Sequence, residues 1–132
     1  MKSAARTPAR SIPVRDALRA LADPTRVRLL RLLRGGPLCV GDLVAVLEAL
    51  QPKVSRHLAF LHRAGLIQGE RRGGFSFYGL VPAQAGFHRK LLALLDAAAA
   101  ELPEARKDQA SLSKLQAKGG CCPQHMKPRA RG

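Results

Sequence analysis

The chain has 132 residues, of which 46% are hydrophobic and 4% aromatic, and its formal net charge is +14. This length provides one domain with a modest core, and such a core often relies on a second subunit to cover its apolar surface. No apolar run approaches the roughly 20 residues of a bilayer span, and the first residues lack the apolar centre of a secretion signal. We therefore expect a single-domain cytoplasmic protein with no membrane partner.

The positive charge is concentrated at the two ends of the chain. Residues 1–15 carry +4 and residues 105–132 carry +6. Basic segments of this kind can bind nucleic-acid phosphates without recognising a base sequence, or they can remain solvated and disordered. The composition favours neither alternative. We predict a disordered basic N-terminal arm over 1–12, a folded domain over 13–104 and a flexible basic C-terminal tail over 105–132.

Two helices are predicted in the first part of the domain. Val14, Leu18 and Leu21 have the spacing of one helix, and Asp23-Pro24 supplies the cap and first turn of the next, which Gly35-Gly36 ends. The arginines of this second helix fall largely on its solvent side, where the first two are interpreted as solvated or as phosphate contacts. They are Arg26, Arg28, Arg31 and Arg34.

The middle of the chain has the pattern of a helix-turn-helix followed by a wing. The segment CVGDLVAVLEAL predicts a short amphipathic helix, and QPKVSRHLAFLHRAG predicts a longer one whose apolar stripe includes Val54, Leu58 and Leu61. LIQGERRGGFSFYGLV predicts two strands joined at Arg71-Arg72-Gly73-Gly74, with Gly-Gly as the hairpin signal. Residues 37–40 either add a strand beside this hairpin or lead into the helix. The predicted fold class is mainly α with a small β-hairpin (α+β), a winged helix-turn-helix.

The face of the longer helix opposite its apolar stripe has no acidic residue and is predicted to read a DNA major groove. Arg56 is suited to bidentate contact with guanine and Gln51 to adenine, whereas Lys53 and the wing arginines are suited to phosphates or the minor groove. His57 has an equal alternative as a packed or capping residue. The predicted DNA-binding residues are Gln51, Lys53, Ser55, Arg56, His57, Arg71 and Arg72.

A last long helix is predicted from about Ala83 to Leu102, and Pro103 ends it. Its leucines and alanine run present more apolar surface than a small domain covers, especially over 91–100. We therefore predict a homodimer through the first and last long helices. A twofold dimer would place two recognition helices on successive major-groove turns of double-stranded operator DNA.

The three cysteines are too few for a disulfide framework, and in a reducing compartment they are expected to be free thiols or ligands. Cys39 lies at or just before a helix N-terminus, where the helix dipole favours a thiolate, although a buried cysteine also packs well as a small hydrophobe. Cys121 and Cys122 follow two glycines, and nothing near them in sequence is apolar enough to bury both thiols. Ligand binding or redox chemistry is favoured for this pair.

Soft trivalent arsenic and antimony take up to three thiolates, whereas the chain offers hard cations few ligands. The predicted metalloid site comprises Cys39, Cys121 and Cys122, from one subunit or two. The vicinal pair alone would hold a monomethylated arsenical. No permanent cofactor and no catalytic residue is predicted, because the sequence has no glycine-rich phosphate loop, no pocket-forming carboxylate pair and no oriented Cys/His arrangement.

Two alternatives keep a DNA-binding fold but change the role of the thiols. In the first, the cysteines form a thiol switch that senses oxidants or persulfides. Adjacent cysteines form a strained disulfide, so Cys39 would be the more suitable partner. In the second, the chain is an architectural DNA-binding protein with inert thiols.

Three segments of the chain resemble those of a known family. The run ALADPTRVRLLRLLRGGPLCVGDL, followed by QPKVSRHLAFLHRAGLI and RRGGFSFYGL, resembles the ArsR/SmtB family of metal- and metalloid-responsive repressors, and more narrowly its arsenic-responsive branch. The resemblance covers about Val14 to Leu102. It implies a winged-helix homodimer that binds an operator in its own resistance operon and releases it when the inducer binds.

The chain departs from the family pattern at two places. The best-known arsenic repressors carry further cysteines where this chain has Gly41 and Val44, so a three-thiol site within that helix cannot form. Other members build their site from thiols elsewhere, including pairs near the C-terminus, which the resemblance transfers to Cys121 and Cys122. Zinc-sensing members place spaced Asp and His ligands along the last long helix. This chain offers there only Asp96 and His88, so zinc sensing is disfavoured.

Overall fold

A computed structural model describes residues 12–128. The predicted N-terminal arm thus lies outside the described residues except for Ile12, which is buried. The elements in chain order are α1 (Val14–Leu21), α2 (Pro24–Leu33), β1 (Leu38–Cys39), α3 (Val40–Leu47), α4 (Gln51–Arg63), β2 (Ile67–Arg72), β3 (Phe75–Leu80), α5 (Gly86–Ala99), α6 (Pro103–Ala117) and a 3₁₀ helix (Gln124–Met126). None of these helices is long and apolar enough to cross a bilayer.

Asp23 begins α2 as the sequence predicts. Its carboxylate accepts hydrogen bonds from the backbone N–H groups of Thr25 at 2.8 Å and Arg26 at 3.1 Å, and Pro24 occupies the first turn. Partial burial alone would raise the pKa of Asp23, but these hydrogen bonds, together with the nearby charges of His57 and Arg26, lower it below its ordinary value. The carboxylate therefore stays ionised and holds the start of α2.

The strands form one three-stranded antiparallel sheet in the order β1, β3, β2. Strands β2 and β3 pair from Ile67 opposite Leu80 to Arg72 opposite Phe75, and Gly73-Gly74 joins them. Arg71 and Arg72, which were predicted to lie in the connection, belong to β2. The undecided segment 37–40 forms strand β1, which pairs Cys39 with Phe77. We call the hairpin formed by β2, Gly73-Gly74 and β3 the wing.

The core lies where α1 to α5 meet the base of the sheet. Its fully buried side chains are mostly leucines of the predicted apolar stripes: Leu29, Leu30, Leu33, Leu43, Leu58, Leu61, Leu66 and Leu95. In α4 the stripe of Val54, Leu58 and Leu61 is buried, so the opposite face of that helix is left to solvent. The winged helix-turn-helix is therefore confirmed.

The C-terminal third differs from the prediction. The last long helix is shorter than expected, at Gly86–Ala99, and Pro103 does not end the helical region but starts α6. The segment predicted to be a flexible tail from residue 105 thus begins with a helix that contacts α2 and α3. This segment is helical because Asp108 and Leu112, one helical turn apart, are both buried on the core side of α6.

An ion pair attaches α6 to α2. Arg28 donates from Nε to Oδ2 of Asp108 at 2.8 Å and from Nη2 to Oδ1 at 2.9 Å, and Asp108 is only 3% exposed. Hydrogen bonding to Asp108 raises the pKa of Arg28. The interpretation of Arg28 as solvated or as a phosphate contact thus gives way to an ion pair, and Arg31 and Arg34 also contact Asp96 of α5, which is half exposed. Their partners lie on helices far along the chain.

We expect Asp108→Asn to lower the free energy of unfolding by about 1–3 kcal/mol, because it leaves a partly buried guanidinium without its counter-charge. The measurement is urea denaturation followed by circular dichroism. Asp96→Asn is the matched control. Asp96 is half exposed, so its loss is expected to cost less than about 1 kcal/mol. Equal effects of the two substitutions would contradict the structural role given to Asp108.

Candidate functional site

Helix α4 presents the predicted DNA-reading residues to solvent. Gln51, Lys53, Ser55 and Arg56 are all exposed, and α3 packs beside α4. The turn between these helices runs through Glu48, which ends α3 in the left-handed conformation with φ 52°. The two helices therefore have the arrangement in which the second of the pair enters a major groove.

His57 lies apart from this exposed set. Its ring is half-buried against α2, where Arg26 Nη1 approaches its Nδ1 at 3.4 Å. Burial lowers the pKa of His57, and the charges of Arg26, Lys53 and Arg56 add to this effect while Asp23 opposes it. A neutral ring at pH 7 accepts from Arg26 and adds no positive charge to the surface. This geometry favours the packing interpretation of His57.

Arg26 connects three helices rather than facing solvent. Its Nε donates to the carbonyl of Ala20 at 3.1 Å and its Nη2 to that of Arg19 at 2.8 Å, which satisfies carbonyls at the end of α1. The guanidinium also stacks on Phe60 of α4, 4.1 Å from the ring centroid. Arg26 thus sets the position of the recognition helix.

The wing arginines are exposed at the far edge of the hairpin. Arg71 donates to Oγ of Ser76 and to the carbonyl of Gly74, both at 3.2 Å, and Arg72 contacts Glu70. These contacts orient Arg71 along the wing while leaving its charge in solvent. Both arginines remain on the surface where DNA contact is predicted.

The structure brings the three cysteines together within one chain. Cys39 is 1% exposed at the start of α3 and forms a disulfide with Cys122, which is 8% exposed. The two residues are 83 positions apart in sequence, and their Cα atoms are 6.6 Å apart. Cys121 is a free, exposed thiol beside this pair. The sequence predicts a meeting of these residues, and the structure shows how the chain achieves it.

Gly41 lies at the centre of this arrangement. A Cβ built on Gly41 would be 3.1 Å from Cβ of Cys121 and 3.8 Å from the sulfurs of Cys39 and Cys122. The absence of a side chain at this position therefore makes room for the C-terminal cysteines. In the family pattern that the sequence resembles, a cysteine occupies this place, whereas here the C-terminal cysteines lie beside it.

Asp42 attaches the C-terminal segment to α3. It is 4% exposed, and its Oδ1 accepts a hydrogen bond from the backbone N–H of Cys121 at 2.7 Å. Partial burial raises the pKa of the Cys121 thiol, and hydrogen bonding to Asp42 and the carboxylate charge raise it further. Asp42 thus positions Cys121 and holds it in its less reactive, protonated form.

The expectation that nothing apolar surrounds the vicinal pair is wrong for Cys122. It belongs to a small cluster with Cys39 and Phe77, against which Phe75 and Met126 pack. We call this set the sulfur cluster. Its aromatic members come from β3, so proximity in sequence gave no sign of them.

A cavity of about 360 Å³ extends from the cysteines to the exposed side of α4 and the wing. Gln51 and Ser55 of α4, Arg71 of the wing, and both Cys121 and Cys122 line it. Three residues predicted for DNA contact therefore share one depression with two residues predicted for metalloid binding. A change at the sulfurs acts directly beside the residues that would contact DNA.

Within residues 12–128, no group of three His, Cys, Asp or Glu side chains is arranged to hold a metal ion in this disulfide-bonded form. The two residues considered as zinc ligands, His88 and Asp96, do not belong to such a group either. His88 is 1% exposed, with neither ring nitrogen hydrogen-bonded, and Asp96 is engaged by Arg31 and Arg34. The three cysteines remain the candidate ligand site.

We expect Asp42→Asn to lower the pKa of Cys121, because it removes the carboxylate that disfavours the thiolate. At a fixed pH below the thiol pKa, alkylation of Cys121 by iodoacetamide should then be about two- to tenfold faster. The rate is measured by mass spectrometry on the disulfide-bonded protein, in which Cys121 is the free thiol. Glu48→Gln, at the other end of α3, is the control and should leave the rate unchanged. An unchanged rate in Asp42→Asn would contradict the electrostatic role of Asp42.

Comparison with known proteins agrees with the fold. The family model described as bacterial regulatory protein, arsR family, matches residues 23–68. The arsenic resistance transcriptional regulator ArsR1 of Pseudomonas putida is 48% identical over 65 residues, which is 48% of this chain and 51% of ArsR1. The match thus spans about half the length of that relative.

Two further proteins match over a larger share of their length. ArsR2 of Pseudomonas putida, an arsenic resistance transcriptional regulator, is 37% identical over 78 residues, covering 58% of this chain and 68% of ArsR2. The crystal structure of the AntR antimony-specific transcriptional repressor is similar, with a TM-score of 0.56 and 30% identity over 71% of this chain and 80% of AntR. The chain therefore belongs to the ArsR family of bacterial regulatory proteins, and the relatives named here are transcriptional regulators rather than enzymes.

Proposed function

We propose that the chain is a repressor that binds operator DNA as a homodimer and releases it when trivalent arsenic or antimony binds its thiolates. The observation that carries this proposal is the convergence of Cys39, Cys121 and Cys122 at the start of α3, beside the recognition helix. The names of the similar proteins, two arsenic resistance regulators and an antimony-specific repressor, support the same class of inducer.

DNA binding uses the exposed face of α4 and the wing. Arg56 and Gln51 are suited to base edges in the major groove, and Lys53, Arg71 and Arg72 supply charge for the phosphates. All five side chains are exposed, and Gln51 and Arg71 line the same cavity. The net charge of +14 adds a sequence-independent attraction that weakens as salt is added.

The homodimer is proposed to form through α1 and α5. Val14 and Leu18 of α1 are 50% and 55% exposed, and Leu94 of α5 is 56% exposed. Exposed leucines and valines on two helices are the kind of surface that a second copy covers. A twofold pairing there leaves both recognition helices free to reach successive turns of the duplex.

The ligand chemistry requires the reduced thiols. Arsenite, As(OH)₃, exchanges its three hydroxyls for the sulfurs of three thiols, forming three As–S bonds and releasing three water molecules, each of which takes up one thiol proton. A monomethylated trivalent arsenical has two exchangeable positions and needs only two of the sulfurs. Trivalent arsenic and antimony prefer such soft ligands, which suits a site of three sulfurs beside the carboxylate of Asp42.

Inducer binding is coupled to DNA release because it holds the C-terminal segment against α3. The inducer shifts the equilibrium only by its preference for the conformation that fits DNA poorly. Moving the populations from 1:99 to 99:1 takes about 10⁴-fold of differential affinity. A two- or three-thiolate chelate is a strong enough interaction to supply this preference, whereas a single exposed cysteine is not.

A second candidate signal is oxidation, and the disulfide between Cys39 and Cys122 favours it specifically. Two thiols would give up two electrons and two protons to an oxidant such as hydrogen peroxide, which becomes two water molecules. The disulfide would hold the C-terminal segment against α3, as the bound metalloid is proposed to do. The two signals differ in one respect, because the disulfide does not use Cys121 and a three-thiolate arsenic site does.

We expect Arg56→Ala to weaken DNA binding by about 10- to 100-fold, because one bidentate base contact is worth about 1–3 kcal/mol. The measurement is fluorescence anisotropy with a labelled duplex that the reduced protein has selected from a random-sequence pool. Arg63→Ala, an exposed arginine at the other end of α4, is the matched control and should change affinity by less than about threefold. Equal losses in the two variants would indicate only general electrostatic attraction.

The cysteine variants separate the two signals. Under reducing conditions, Cys121→Ser and Cys122→Ser should each need at least about tenfold more arsenite than the wild type for release of the selected duplex, because each lacks one of three sulfur ligands. With peroxide alone, Cys121→Ser should still release the duplex, since Cys39 and Cys122 remain. Cys122→Ser should not.

Two results would contradict the proposal. If Cys121→Ser responds to arsenite as the wild type does, a three-thiolate site is wrong. If a chain in which all three cysteines are serine still releases the duplex on addition of arsenite, the metalloid does not act through sulfur.

A further inference from the structure

The C-terminal residues beyond the disulfide continue along the wing. Met126, at the end of the 3₁₀ helix, lies so close to Gly73 that a Cβ built on Gly73 would be 2.5 Å from its Cε and 2.6 Å from its Sδ. Met126 also packs against the sulfur cluster. Segment 121–126 therefore contacts the DNA-facing unit at two places, the start of α3 and the tip of the wing.

The same segment lines the surface on which DNA contact is proposed. The cavity that contains Gln51 and Ser55 of α4 and Arg71 of the wing is closed on one side by Cys121 and Cys122. A DNA backbone that reaches both the first turn of α4 and the wing has to pass over this cavity. We call the space between the first turn of α4 and the wing the α4–wing groove.

Electrostatics alone would not hold the segment in this groove. Lys118 and Lys127 flank the segment, and Lys53, Arg71 and Arg72 surround the groove, so the charges on the two sides have the same sign. Duplex DNA attracts both sets of charges. Closure therefore depends on the sulfur link, on the hydrogen bond from Cys121 to Asp42 and on the apolar contacts of the sulfur cluster, and loss of the link favours DNA.

We propose that the α4–wing groove is a shared binding surface in which segment 121–126 of the chain and the DNA backbone exclude each other. The inference rests on the proposed DNA-binding function and adds how release occurs. Once the sulfurs are linked, by a disulfide or by a metalloid, the segment occupies part of the DNA interface directly. Release of DNA then requires no conformational change elsewhere in the domain.

Met126 provides the decisive variant, because it contacts the wing tip and is not a sulfur ligand in the proposed site. The probe is the duplex selected by the reduced wild type, and binding is measured by anisotropy for reduced and for disulfide-bonded protein. Mass spectrometry verifies the disulfide, and circular dichroism verifies folding. His125→Ala is the matched control, since His125 is exposed in the same short helix.

We expect the disulfide to weaken binding of the wild type and of His125→Ala by at least about tenfold, within the usual range of coupling energies. In Met126→Ala the same disulfide should weaken binding by at least about threefold less, because the segment no longer reaches the wing tip. Equal affinity of reduced and oxidised wild type would overturn the inference. An equal loss in the wild type and Met126→Ala would overturn it as well, while leaving the thiol response intact.

A second measurement uses only the wild-type protein. Mutual exclusion is reciprocal, so saturating duplex should lower the fraction of Cys39–Cys122 disulfide formed in a fixed glutathione buffer by at least about fivefold. In this reaction glutathione disulfide accepts two electrons and two protons and becomes two glutathione thiols. An unchanged fraction would overturn the inference. Failure of the reduced protein to select any duplex would instead refute the proposed function itself.

Discussion

The meeting of three cysteines around Gly41 is the contact on which the proposed switch depends. Because position 41 has no side chain, Cys121 comes within van der Waals distance of the start of α3, and Asp42 fixes its backbone there. In the proposed switch the sulfur link holds the C-terminal segment, which Lys118 and Lys127 flank, against a basic surface. This is how a change in a few bonds of sulfur affects the residues that would contact DNA.

The rest of the fold places the C-terminal segment within reach of this contact. The ion pair of Arg28 with Asp108 attaches α6 to α2, so that the chain leaves α6 close to α3. Arg26 performs the corresponding task for the recognition helix, connecting α1, α2 and α4 through backbone carbonyls and the ring of Phe60. Arginines that a helical pattern assigns to solvent therefore position both halves of the candidate site.

Much of the fold could be predicted because it is encoded locally. The cap at Asp23, the apolar stripe of α4 and the Gly73-Gly74 turn each depend on residues a few positions apart. The helix α6 and its partners could not be predicted in this way, since Asp108 is 80 residues from Arg28. The candidate thiol site was proposed from the chemistry of sulfur; its three members lie together in the structure, and its binding of a metalloid stays a prediction. Gly41, Asp42 and Met126 were missed as its supports, because their roles exist only once distant segments have packed.

The central claim is that sulfur ligation moves the C-terminal segment onto the wing, and the four phenylalanines of the chain report on this directly. The measurement is ¹⁹F NMR of the reduced protein with 3-fluorophenylalanine incorporated, before and after addition of arsenite. The signals of Phe75 and Phe77, beside the sulfur cluster, are expected to shift towards their positions in the disulfide-bonded protein. The signal of Phe87, on α5, should stay in place. Arsenite that binds without moving the two wing signals, or that moves Phe87 equally, would contradict the claim.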